Sequence, residues 1–244
     1  MLQAVSKANK IYASTLNLTM YFSVFILFSM IMLPLISSYV NVGSALIRFT
    51  SLYRDVSLAS GLILAIVGIL SLLLLSLFVS AVVSIVKLKE TLDQVGFSRV
   101  ADTFKKYVMK VFFYFLMMSV LSLGIGVVLT ALNASYFLIQ LVLFLIWIPF
   151  VFTPQILIIE DLEIFAAMRD AWYFVSSKPA ALLIYFAAGI ILVFLLLLLE
   201  TFLGQYFVWE HKLVSIVLLS LFILPYLEML ATELYIRRYA VSRM

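Results

Sequence analysis

The sequence predicts an all-α integral membrane protein: six transmembrane helices in three units, each an interfacial helix followed by a hairpin, with both termini cytoplasmic. Three observations predict it. Charged side chains are missing from long stretches, among them 58–86, 111–159, 180–199 and 213–227, and a bilayer core about 30 Å thick needs roughly 20 apolar residues of helix to cross it. Hydrophobic residues make up 66% of the 244 and charged ones 11%, against about 25% charged in a soluble domain. Thirteen of the sixteen Lys and Arg residues fall in every second gap between the apolar stretches, the bias that orients a polytopic helical protein with its basic loops inside.

The first span is predicted at 18–40. The polar stretch before it holds Lys7 and Lys10, but the apolar run is too long for the core of a signal peptide and lacks a clear cleavage site, so no cleaved leader is expected. The second span, 58–86, has 29 residues, about 43 Å of helix, and must tilt or project beyond the hydrocarbon. Gly61, Ala65, Gly68, Ser76, Ser80 and Ser84 form a stripe along it, which suits close helix packing. The third and fourth spans, 111–132 and 136–159, are separated only by Asn133-Ala134-Ser135, so they form a tight hairpin. Gly124 and Gly126 fit close packing in the third, and Pro149 and Pro154 interrupt the backbone bonding of the fourth. The fifth and sixth spans are placed at 180–199 and 213–235.

The larger cytoplasmic loops carry amphipathic patterns. Phe97, Val100, Phe104 and Tyr107 share one helical face, and Phe165, Met168, Trp172 and Val175 repeat that spacing 68 residues later, where Asp102 also matches Asp170 and Lys110 matches Lys178. Interfacial helices are therefore expected near 97–108 and 163–177, rings in the headgroup layer and charges toward water. Leu2, Val5 and Tyr12 make a fainter third copy, with Asn9 on its face.

Pro154, an apolar run ending in Glu160-Asp161, and then a helix containing Ala166, Ala167, Ala171 and Trp172 lead into the fifth span. Together with Gly96 and Phe97–Phe104, this pattern resembles the membrane domain attached to some glycerophosphodiester phosphodiesterases, and the related stand-alone polytopic proteins of bacteria and archaea. The resemblance covers residues 85–200 and departs from the family at Leu162 and Glu163, where a glycine is usual. It implies a helical membrane fold and maps no catalytic residue onto this chain.

Glu228 is the most informative polar residue. It sits one turn after Pro225 and about 12 Å inside the cytoplasmic boundary set by Arg237, and an intramembrane acid faces the bundle. Its expected partners are Lys87, Lys110, or the polar groups of Thr153 and Gln155. Glu233 precedes Arg237 by four residues, the spacing of a helix-surface pair. Glu160, Asp161 and Glu163 read as a solvated helix start.

Cysteine is absent and His211 is the single histidine, so neither a thiolate nor a typical zinc site is expected, and no cofactor is implied. No span brings together an acid, a base and a nucleophile, which argues against an enzyme. The net charge of +4 is spread over loops at one membrane face, so nucleic acid is not an expected partner. The lipid bilayer is, along with another membrane protein or a second copy of the chain. The expectation is a non-catalytic, multi-pass protein of the cell membrane serving assembly, lipid organisation or support of another complex. The alternative is a transporter or channel subunit.

Overall fold

The computed structural model describes residues 2–36, 58–92, 95–206 and 210–240; the segment 41–57, with Arg48 and Arg54, lies outside the described residues, as does the end of the first predicted span. Six of the described helical stretches are long and apolar enough to cross a membrane. They are made by α1 (Leu2–Ile36), α2 (Leu58–Lys89), α3 (Phe97–Ala131), α4 (Tyr136–Trp147) with α5 (Thr153–Ile159), α7 (Pro179–Leu203), and α8 (Glu210–Leu218) with α9 (Leu224–Ala240); α6 (Ile164–Ser177) stands between α5 and α7.

Two expected interfacial segments are the first turns of longer helices. Nothing between Val108 and Val111 breaks a helix, since that stretch lacks both Pro and Gly, and α3 runs through it unbroken for 35 residues, about 52 Å by helical rise. Likewise, the N-terminal segment belongs to α1. Its buried positions among residues 3–30 are Ala4, Ala8, Ile11, Thr15, Thr19, Phe22, Ser23, Ile26 and Ser29, a seam at helical spacing. Ala4 and Ala8, rather than Val5 and Tyr12, lie deepest, because small side chains let helix backbones approach closely.

The repeat does not extend to packing either. On α3 the predicted face turns inward at Val100, Phe104 and Tyr107, whereas α6 buries Ala167, Ala171 and Phe174 and leaves Phe165 and Trp172 exposed. The wide ring of Phe174 fills the space between Phe152 and Tyr235, with centroids 4.9 and 5.3 Å away, so the alanine face is the one that fits.

Two spans lose regular α-helix next to a proline. After α4 come a 3₁₀ turn at Ile148–Phe150 and two non-helical residues before α5, because Pro149 and Pro154 each remove a backbone donor. Just before Pro225 the last span widens into a π turn, Leu219–Ile223, whose following residue Leu224 donates to the Leu219 carbonyl five residues back. Asn133 closes the α3–α4 turn in the left-handed region, φ 55°, and the Ser135 hydroxyl accepts from the Leu138 amide. Trp147 Nε1 donates to Ser122 Oγ at 2.9 Å and ties the hairpin together.

Three stretches are buried on every side: Phe78–Val86 of α2, Thr153–Ile158 of α5 and Met229–Tyr235 of α9. They form the centre of the bundle. Within the α2 stripe, Ser76, Ser80 and Ser84 are wholly buried, while Ala65 is exposed. Gly124 departs from the expected role: a Cβ there meets nothing within 4 Å, since this face of α3 points away from the bundle.

Candidate functional site

Pro154 has no N–H, so the Phe150 carbonyl four residues earlier loses its helical donor. Tyr114 of α3 replaces it, its hydroxyl donating to that carbonyl at 2.8 Å. The Tyr114 hydroxyl also lies beside the Thr153 side chain. One residue past the proline, Gln155 crosses to α9 and donates from Nε2 to Glu228 Oε2 at 2.8 Å. Tyr114 from α3 and Tyr185 from α7 both feel the charge of Glu228. Four helices, α3, α5, α7 and α9, thus bring polar groups together around one intramembrane carboxyl.

The cluster is incompletely satisfied. Gln155 Oε1 is buried without a hydrogen-bond partner, in a residue 2% exposed. A buried polar atom left unpaired costs roughly 1–3 kcal/mol, so it needs a reason to be there. Glu228, by contrast, keeps some accessible surface.

Of the expected partners, then, the structure brings Gln155 to Glu228 and leaves the two lysines elsewhere. Lys87 donates to the Ile158 carbonyl and to the Tyr107 hydroxyl, the latter at 3.2 Å. Lys110 pairs with Glu163 at 3.0 Å and Asp161 at 3.6 Å. The reason is reach: Lys87 is held at the last turn of α5 and Lys110 by the turn that follows it, both beyond the level of Gln155.

That turn is more than a solvated helix start. Asp161 takes the left-handed region, φ 54°, and accepts from Lys106 as well as pairing with Lys110, which ties α3 to the start of α6. Its hydrogen bond to Lys106 holds the Asp161 carboxyl below the usual carboxylate range. Glu160 accepts from the Tyr235 hydroxyl of α9.

Glu233 is not a surface residue. Its side chain is 0% exposed, with Arg237 Nε 3.7 Å away, and Glu90 from the turn after α2 and Lys7 of α1 facing it. Lys7 itself pairs with Glu90, and Arg237 donates to Gln3 Oε1 at 3.1 Å. Sequence reasoning missed this junction because helical spacing favours Arg237 on the same helix and says nothing of other elements arriving on top. It also missed Tyr114 and Tyr185. The signal for Tyr114 was present, since Pro154 implies an orphaned carbonyl at Phe150.

Among the described residues no group of three His, Cys, Asp or Glu side chains gathers in a metal-holding cluster. Set against known proteins, the chain matches no family model, no curated protein and no solved structure.

Proposed function

We propose that this is a non-catalytic multi-pass protein of the cell membrane, serving assembly, lipid organisation or support of another membrane complex. The observation that carries the reading is the use made of polar side chains inside the bundle, which join helix to helix. Gln155–Glu228 links α5 to α9, Tyr114 secures the broken fourth span, Ser29 donates to the Ser71 carbonyl between α1 and α2, and Tyr12 donates to the Phe222 carbonyl. Such bonds hold a scaffold together.

Both termini are cytoplasmic in this reading. The distribution of basic residues supports it, and so does the Arg237–Gln3 hydrogen bond between the end of α9 and the start of α1. Of the three interfacial-helix-plus-hairpin units the last has most support: α6 is a separate helix, and its exposed Phe165 and Trp172 suit a headgroup layer. Kinship with the membrane domain of glycerophosphodiester phosphodiesterases belongs to the same proposal, and the segment to compare is α5, the Glu160-Asp161 turn and α6.

Crosslinking in native membranes followed by purification tests the role. A stoichiometric membrane-protein partner, or specifically retained lipid, supports it; purified protein that moves a solute across liposomes overturns it. That second outcome is the transporter reading, favoured by one observation, the proline-broken span lying against Glu228.

A further inference from the structure

We propose that Glu228 and Gln155, flanked by Thr153, form an intramembrane site for a small hard monovalent cation, a proton or Na⁺, which binds and leaves reversibly. This goes beyond the assembly role and holds whether or not that role is correct.

The argument begins with the charge. Glu228 lies within the span Leu213–Arg237, and the side chain bonded to it is a neutral amide, with no ion pair reaching it among the described residues. A carboxylate in that position needs a cation, and none of the described side chains supplies one. The titratable groups that face it are Tyr114 from α3 and Tyr185 from α7; Gln155, from α5, does not titrate.

The second strand is the orphaned amide oxygen of Gln155. Gln155 Oε1 belongs to the same amide whose Nε2 holds Glu228 Oε2, so covalent geometry keeps it next to the carboxyl. Thr153 Oγ1 lies two residues earlier on the same buried helix, beside Tyr114. Purely structural bonding leaves Gln155 Oε1 without a function, whereas a hard cation is held by oxygens of this kind. The proton is accommodated equally well. With Glu228 ionised the amide donates from Nε2, and with Glu228 protonated the amide turns over and accepts at Oε1. One glutamine therefore serves both states.

Access is the third point. Thr153 and Gln155 are closed off, but Glu228 keeps accessible surface. The neighbouring α7 is the least enclosed span, with 6% of its most apolar stretch buried against 28% to 50% in the other five.

Infrared difference spectroscopy on the whole protein in lipid nanodiscs, between about pH 5 and about pH 9, reads the carboxyl directly. The expected result is a protonated-carboxyl band in the wild type, lost at the alkaline end and missing from the Glu228→Gln difference spectrum. Contributions from Glu90 and Glu233 are common to both and cancel. Adding NaCl near neutral pH, with choline chloride as control, separates the sources: a band removed by Na⁺ alone identifies a sodium site, and an unchanged band identifies a proton site. Gln155→Leu keeps the carboxyl but removes the donor to its ionised form, so the band should persist and titrate at higher pH. Identical difference spectra for wild type and Glu228→Gln overturn the site, as does a Glu228 band that fails to respond to pH and Na⁺. Should Glu228→Gln fail to fold, an unshifted titration in Gln155→Leu overturns it instead.

Discussion

Glu228 and Gln155 depend on one another, because each is the partner that makes the other's burial tolerable. Glu228→Gln retains donor and acceptor capacity, so the melting temperature in detergent should change little. Glu228→Leu leaves the Gln155 amide wholly unpaired, and the loss should be about 1–3 kcal/mol, read as a lower melting temperature. Equal stability of the Gln and Leu variants would show that the bond contributes nothing. Gly124 offers the opposite case. Its Cβ position is open, so Gly124→Ala removes only backbone freedom and should stabilise by about 0.5–1 kcal/mol. A destabilised Gly124→Ala would mean that α3 packs another helix on that face.

At the scale of elements, two junctions deserve measurement. The broken fourth span relies on Tyr114 to satisfy the Phe150 carbonyl. Tyr114→Phe should therefore cost about 1–3 kcal/mol in the wild type. It should cost less in a Pro154→Ala background, where residue 154 regains an N–H for the same carbonyl. A double-mutant cycle measures that coupling, and strict additivity would refute it. The second junction is the Lys106–Asp161 pair between α3 and the start of α6. Lys106 lowers the Asp161 value in the folded state, so the pair's stabilisation is complete above the unfolded value of about 4. It fades as pH falls through the depressed folded value. Acid titration of stability should show a small loss at that end that is absent from Asp161→Asn and reduced by salt, since the pair is exposed. An unchanged acid limb in Asp161→Asn would assign the loss to other carboxyls.

For the whole molecule, the prediction concerns sidedness and enclosure. The chain has no cysteine, so single cysteines report cleanly. Labels at Ser6, Thr91 and Ser177 should react from the cytoplasm, and labels at Asn133 and Gln205 from the opposite side. Any one of the first group reacting together with the second would break the six-span topology. Enclosure differs sharply between spans. Leu230 is fully buried and Ile190 on α7 is 70% exposed, so Leu230→Ala should cost about 2–5 kcal/mol while Ile190→Ala leaves the melting temperature nearly unchanged.

The sequence by itself determined the membrane class, the approximate positions of the spans and the Asn133 turn, because these follow from the length of apolar runs and from local backbone chemistry. It also picked out Glu228 and the proline break, since an acid or a proline in such a run is conspicuous. Only the tertiary structure decided which groups meet. Gln155 reaches Glu228 across 73 residues of chain, while Lys87 and Lys110 turn to the far end of α5. It alone decided that Glu233 is sealed against α1, that α3 runs unbroken through Val108–Val111, and that α6 buries Ala167, Ala171 and Phe174 rather than Phe165 and Trp172. Hydropathy sets how deep a residue lies along the membrane normal. It leaves open the rotation of each helix and the identity of its neighbours, which steric fit among all the helices settles together.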